Sequence, residues 1–194
     1  RALKLKRQAG NENTILQEFQ RDPAALAQGV EFALGGLGHS NEDVRKAAVQ
    51  TLGKLPADAL APHAAAVLAK LEDSYWYVRE AAVGTLGKLE LAELTKYKEA
   101  LQKLAEQDAE AVVQMTAHVV LHKIEPTAGH IAAILSRLED SEWSVRLAVV
   151  RALGKLEPLE LANYAEALQK RANKDLNSDV RDAATKALLQ LQAS

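Results

Sequence analysis

Apolar residues recur along most of this chain at the period of an α-helix. Val44, Ala47, Ala48, Leu52 and Leu55 fall at i, i+3, i+4, i+8 and i+11, with Lys46, Gln50 and Lys54 on the opposite side. That spacing predicts an amphipathic helix with one buried and one wetted face. The pattern behind it, Val-Arg-x-Ala-Ala-Val-x-x-Leu-Gly-Lys-Leu, starts again at Val78 and Val145, with weaker copies from Val113 and Val180. The steps between copies are 34, 35, 32 and 35 residues. A longer period lies over the short one: Leu71 to Glu90 and Leu138 to Glu157 share 14 of 20 residues at an offset of 67, and Tyr-x-Glu-Ala-Leu-Gln-Lys recurs at Tyr97 and Tyr164. Self-similarity at such periods is the signature of a stacked array.

Each unit reads as two helices. The start of the second is marked by an Asp five residues before the motif Val, at Asp73, Asp108, Asp140 and Asp175, able to accept otherwise unpaired backbone N–H groups; His39 stands in that place in the first copy. The first helix is announced by Pro23, Pro56, Pro126 and Pro158, with Leu91 in the slot in the third unit. The expected organisation is a leader or capping segment over 1–21, then units at about 22–55, 56–89, 90–124, 125–156 and 157–194. A lone helix pair leaves apolar surface wet, whereas stacked pairs bury it. The fold class that follows is all-α, a right-handed α-solenoid of about five helix pairs.

Composition agrees. The 194 residues include 36 Ala and 30 Leu, both strong helix formers, and only 4% aromatics. With no cysteine, disulfides, thiolate metal sites and cysteine nucleophiles are excluded, and a reducing, intracellular soluble compartment is the expectation. No apolar run approaches the roughly 20 residues of a membrane span, so no membrane contact is expected. The chain opens on Arg1, which suggests an excised or processed piece.

Asp-x-x-x-x-Val-Arg followed by Ala-Ala and Leu-Gly-x-Leu resembles the HEAT repeat, over roughly Asp22 to Gln192. The resemblance implies antiparallel helix pairs with the second helices on the concave face. It also implies a structural ladder in which Arg45, Arg79, Arg146 and Arg181 join Asp73, Asp108, Asp140 and Asp175 of neighbouring repeats, with Gln114 breaking it in the third unit. The family it points to consists mainly of scaffolds, transport receptors and adaptors, with a minority of enzymes, so function must be argued from the site.

The exposed stripe of the second helices should carry the second, sixth and tenth residues after each motif Val. Met115, Val119 and Leu147 give that stripe an apolar centre, flanked by Lys46, Glu80 and Arg151, and Tyr75 and Tyr77 beside Trp76 form an unrepeated aromatic edge. These residues are the candidate contacts for a protein or peptide partner, with core packing as their other reading. Trp76 and Trp143 occupy equivalent places, which points to packing over the adjacent repeat. Lys54, Lys88, Lys123 and Lys155 form a column that can hold an anionic ligand or nucleic acid; each also lies in the last turn of its helix, where a cation complements the terminal carbonyls. The net charge of −2 speaks against nucleic acid.

His118 and His122 lie one turn apart with His130 nearby, a spacing seen in metal sites. No Glu completes a His-Glu-x-x-His motif, and the paired His-Glu dipeptides of HEAT-like hydroxylases are missing. Gly35-Gly36-Leu37-Gly38 lacks the lysine of a phosphate loop, and there is no Gly-x-Ser-x-Gly elbow. No catalytic residue, metal or cofactor is therefore expected. The reading is a noncatalytic scaffold binding a protein or peptide segment on the concave face. Its alternatives are anionic-ligand binding through the lysines and an engineered or duplicated scaffold without a natural partner. Leu188, Leu189 and Leu191 near the end allow self-association through terminal repeats.

Overall fold

The computed structural model describes residues 23–154, 156 and 158–192, and among them the chain forms helices and no strand. The expected leader over 1–21 lies outside the described residues. Helix α1 (Pro23–Gly36) pairs with α2 (Glu42–Leu52). The second pair sets α3 (Ala57–Leu60) and α4 (Ala64–Leu68) against α5 (Trp76–Leu86). The third sets α6 (Leu91–Leu94) and α7 (Lys98–Gln107) against α8 (Ala111–Ile124). The fourth joins α9 (Ala128–Leu138) to α10 (Trp143–Leu153). The fifth sets α11 (Pro158–Leu161) and α12 (Ala165–Lys174) against α13 (Ser178–Gln192).

The first arms of the second, third and fifth pairs are broken by 3-10 turns at Ala61–His63, Thr95–Tyr97 and Ala162–Tyr164, where the repeat pattern predicts one helix. Pro62 removes a donor from the second pair. In the third, the Thr95 hydroxyl donates to the Leu91 carbonyl at 2.7 Å and competes with the backbone ladder.

The second helices begin on a shared device. Backbone amides two residues on donate to Oδ1 of Asp73, Asp108, Asp140 and Asp175 at 2.9–3.1 Å. His39, which breaks the Asp pattern in the sequence, does the same work here: its Nδ1 accepts from the Asn41 amide at 3.0 Å. The Asn41 side chain then caps α2 by accepting from Asp43 and Val44 N–H, and Asn177 repeats this for Asp179 and Val180.

The motif leucines Leu52, Leu86, Leu121 and Leu153 are at most 1% exposed. Each contributes roughly 1.5–3 kcal/mol by burial. Second helices stack on one another in succession (α2, α5, α8, α10, α13), whereas the first arms of neighbouring pairs meet far less. Wedge-shaped pairs of this kind curve the stack with the second helices inside, an all-α solenoid. The core divides at α8. Val113, Ala117, Val120 and Leu121 pack with the first three pairs, while Met115 and Val119 pack with the last two.

Candidate functional site

Along the N-terminal ends of the second helices runs a ladder of charge. The Nε and Nη2 of Arg45 donate to the two oxygens of Asp73 at 2.7 and 2.8 Å. Arg79 grips Asp108, and Arg146 grips Asp175, with both bonds of each pair at 2.8 Å. This fork-on-carboxylate geometry is the strongest form of the ion pair. Nη1 of each Arg ties the same guanidinium to carbonyls of its own turn, as from Arg79 to Asp73 at 2.9 Å. Hydrogen bonds from Arg45 and Arg146 hold the Asp73 and Asp175 carboxyls below the usual carboxylate range, against the opposing pull of burial. At Asp108 burial pushes upward most strongly, yet the Arg79 and Glu110 N–H bonds together still keep the group low.

Two members of the expected ladder stand elsewhere. Gln114 replaces the third arginine; its amide donates to Asp108 O at 2.6 Å but does not grip Asp140, which instead pairs with Arg137 of its own turn at 3.0 Å. Arg181 donates from Nη1 to Asp175 O and Leu176 O.

Along the C-terminal ends lies a second ladder. Gly53, Gly87 and Gly154 follow the last turns of α2, α5 and α10 with ordinary helical dihedrals, so no positive φ requires glycine there. Close approach does so at two of them. A Cβ at Gly53 would lie 2.6 Å from Thr85 Oγ1, and one at Gly87 2.8 Å from Val120 Cγ2. The carbonyls of these turns are capped from the next repeat: Lys88 Nζ donates to Gly53 O at 2.6 Å, Lys123 Nζ to Gly87 O at 3.0 Å, and Gln190 Nε2 to Gly154 O at 3.1 Å. The lysines therefore complement the preceding helix rather than their own, which sequence position alone implies. Lys155 lies outside the described residues.

Between the two ladders the second helices of the first four pairs wall a concave groove of about 560 Å³. Its floor includes Ala81, Gly84, Thr116 and Val120; Gln50, Glu80 and Glu160 add polar groups, and Lys54, Lys88 and Lys123 stand along one side. A second hollow of about 450 Å³ lies between α10 and α13, lined by Arg151, Asp179, Asp182 and Lys186 among others.

The expected apolar centre is not an exposed patch. Met115, Val119 and Leu147 are 3%, 6% and 7% exposed and pack in the second core cluster with Ile134 and Leu138, although Val119 also reaches the lining of the groove. Helix periodicity shows which way a residue points but not that the next repeat covers that direction. Glu80 lines the groove and Arg151 the second hollow. Lys46 lies over the Tyr77 ring at 5.3 Å, and Arg45 over Tyr75 at 5.7 Å, so the two tyrosines seal the joint between the first and second pairs. Trp76 and Trp143 are 41% and 44% exposed, more open than packing over an adjacent repeat implies; Trp76 meets Tyr77 edge to face at 5.5 Å.

His118 and His130 bring their Nδ1 atoms to 3.2 Å, a contact that joins α8 to α9. Burial, and then the neighbouring imidazole, lower the His118 pKa, and burial likewise lowers that of His130. Among the described residues, no group of three His, Asp or Glu is arranged to hold a metal ion. Nor is any helix among them long and apolar enough to cross a membrane.

The structure is similar to a designed armadillo repeat protein, with 22% identity over 94% of this chain and 87% of that one and a TM-score of 0.45. A designed armadillo repeat protein in complex with the peptide (KR)4 matches at 21% identity over 94% and 87%, with a TM-score of 0.46. The complex of CpcE and CpcF of phycocyanin lyase from Nostoc sp. PCC7120 matches at 15% identity over 98% and 99%, with a TM-score of 0.41. No curated protein matches the chain. The family described as HEAT repeats matches residues 15–87, 30–122 and 99–189, and with the Arg–Asp and Lys–carbonyl ladders joining successive helix pairs, the chain belongs to the HEAT-repeat family.

Proposed function

We propose that the protein is a noncatalytic scaffold that holds a segment of another protein along the concave face of its second helices. The observation that carries this reading is the groove: one hollow walled by α2, α5, α8 and α10, with a small-residue floor and polar side chains standing into it. Concavity, apolar floor and a few convergent polar groups are the usual features of a binding site. The carboxylates with lowered pKa at Asp73, Asp108 and Asp175 are bound to the arginines of the ladder and serve stacking. That occupies in structure these three carboxylates, which would otherwise suggest chemistry.

The test is to fill the groove. Gln50, exposed on the groove wall, and Gly84, on its floor, are each replaced by Trp, and folding is verified by circular dichroism. Partners captured by the wild-type chain should be lost from both variants. A partner retained by both, with the fold intact, would place binding on another face.

A further inference from the structure

Lys54, Lys88 and Lys123 are exposed, one on each of three successive helix pairs, and all three line the same groove. Two are fixed in place, since the bonds to Gly53 O and Gly87 O hold the Lys88 and Lys123 ammonium groups against the preceding helix. An ammonium has three donors. The single bond from Lys88, and the bonds from Lys123 to Gly87 O and Leu89 O, leave at least one N–H on each for a ligand. None of the three stands in an ion pair among the described residues. The column is thus a row of cations without ion-pair partners, two of them held in place.

We propose that the occupant of the groove is an extended segment of another protein bearing a carboxylate at every third residue. This rests on the concave face being the binding face. The repeat sets the register: packed helices stand about 8–10 Å apart, so one cation recurs at about that interval along the groove. A segment in the polyproline II conformation rises about 3.1 Å per residue with three residues per turn. Its positions i, i+3 and i+6 therefore lie on one side at about 9 Å intervals, in step with the column. A β-strand covers the same length in three residues but turns i and i+3 to opposite faces. Glu80 and Glu160 also line the groove. Glu160 disfavours a strand charged at every unit, such as a nucleic acid, and leaves room for a segment charged at every third.

Gln190 supplies the control. It caps Gly154 O from the place that lysine holds in the other pairs, so Lys88→Gln with Lys123→Gln keeps the structural bond and removes only the charge. The probe is a fluorescent peptide of about four Glu-Pro-Pro units, extended and correctly phased, measured by anisotropy against a peptide of the same composition with its glutamates grouped at one end.

The phased peptide should bind more tightly than the grouped one, and the double variant, with an unchanged unfolding midpoint, should weaken it by roughly tenfold. Added salt should weaken it further. Equal binding of the two peptides, or binding undiminished in the double variant, overturns the proposal. Tighter binding of a single-stranded DNA of similar length overturns it in favour of a polyanion. If neither peptide binds while Gln50→Trp still ejects a captured partner, the register fails and the groove reading stands. If Gln50→Trp leaves the bound peptide and the partner in place, the groove reading itself fails.

Discussion

Gly87 and Gly154 hold the same place in their repeats, have the same backbone geometry and should respond oppositely to alanine. Gly87 has φ −59° and ψ −14°, and Gly154 has φ −64° and ψ −3°, conformations any residue adopts. Replacing a glycine by alanine in such a conformation stabilises a protein by about 0.4–1 kcal/mol, because the unfolded chain loses freedom. At Gly154 nothing opposes that gain: a Cβ would meet Val150 O at 3.4 Å and Ala187 Cβ at 3.6 Å, ordinary contacts. At Gly87 the new methyl would lie 2.8 Å from Val120 Cγ2. Carbon atoms pack best at about 3.5–4.0 Å, so α5 and α8 would have to part by roughly 0.7 Å at a side chain that is only 7% exposed. Overpacking of this kind costs about 1–3 kcal/mol.

The net expectation for Gly87→Ala is a loss centred near 1 kcal/mol, and for Gly154→Ala a gain of about 0.4–1 kcal/mol. Urea unfolding followed by circular dichroism reads both. A double-mutant cycle locates the cause: in the Gly87→Ala background, Val120→Ala should cost about 1 kcal/mol less than in the wild type, since it removes the clash. Stabilisation of both glycine variants with no coupling to Val120 would show that the close approach at Gly87 carries no energetic cost.

Asp108→Ala leaves Arg79 half-buried without its carboxylate and should cost about 3–5 kcal/mol, read by the same unfolding assay. Because the folded-state pKa values of Asp73, Asp108 and Asp175 are lowered, their contribution is present above about pH 3.9 and is lost as pH falls through the folded values, which acid unfolding of wild type against Asp108→Asn will show. The His118 and His130 values are also lowered, so the unfolded chain binds protons that the folded pair resists, and stability should decline as pH falls below about 6.5. Glu106 and Glu125 oppose this decline and Lys98 and His122 reinforce it; His130→Asn should flatten the slope between pH 7 and 5.5, and an unchanged slope counts against the pair. Leu121→Ala, at 1% exposure in the helix where the core divides, should cost about 2–5 kcal/mol and separate the unfolding of the two halves, while a single unshifted transition would contradict it.

The repeat was readable because its ladders are written in residue type. Arg79 can grip Asp108 only if both are present at the right interval, and the interval recurs in the sequence. Gly87 is equally legible, since its motif position repeats at Gly53 and Gly154. What the sequence does not carry is the distance between neighbouring helices. Met115 and Leu147 sit on the stripe that a lone helix would expose, and only the packed third and fourth pairs show that they are covered. His39 misleads in the opposite way: it breaks the Asp pattern, yet an imidazole nitrogen accepts the same amide. The lysine column was visible as a column, but the carbonyl each cation caps belongs to a residue about 35 positions earlier, beyond any local rule.

The concave face, and not the outer one, is the proposed seat of the partner. A photo-crosslinking amino acid placed at Gln50 on the groove wall, and separately at the exposed Glu99 on α7, distinguishes the two faces when the crosslinked products are sequenced. One partner segment should be joined at Gln50, absent at Glu99 and released by Lys88→Gln with Lys123→Gln. Crosslinks that form at Glu99 and not at Gln50 would contradict it.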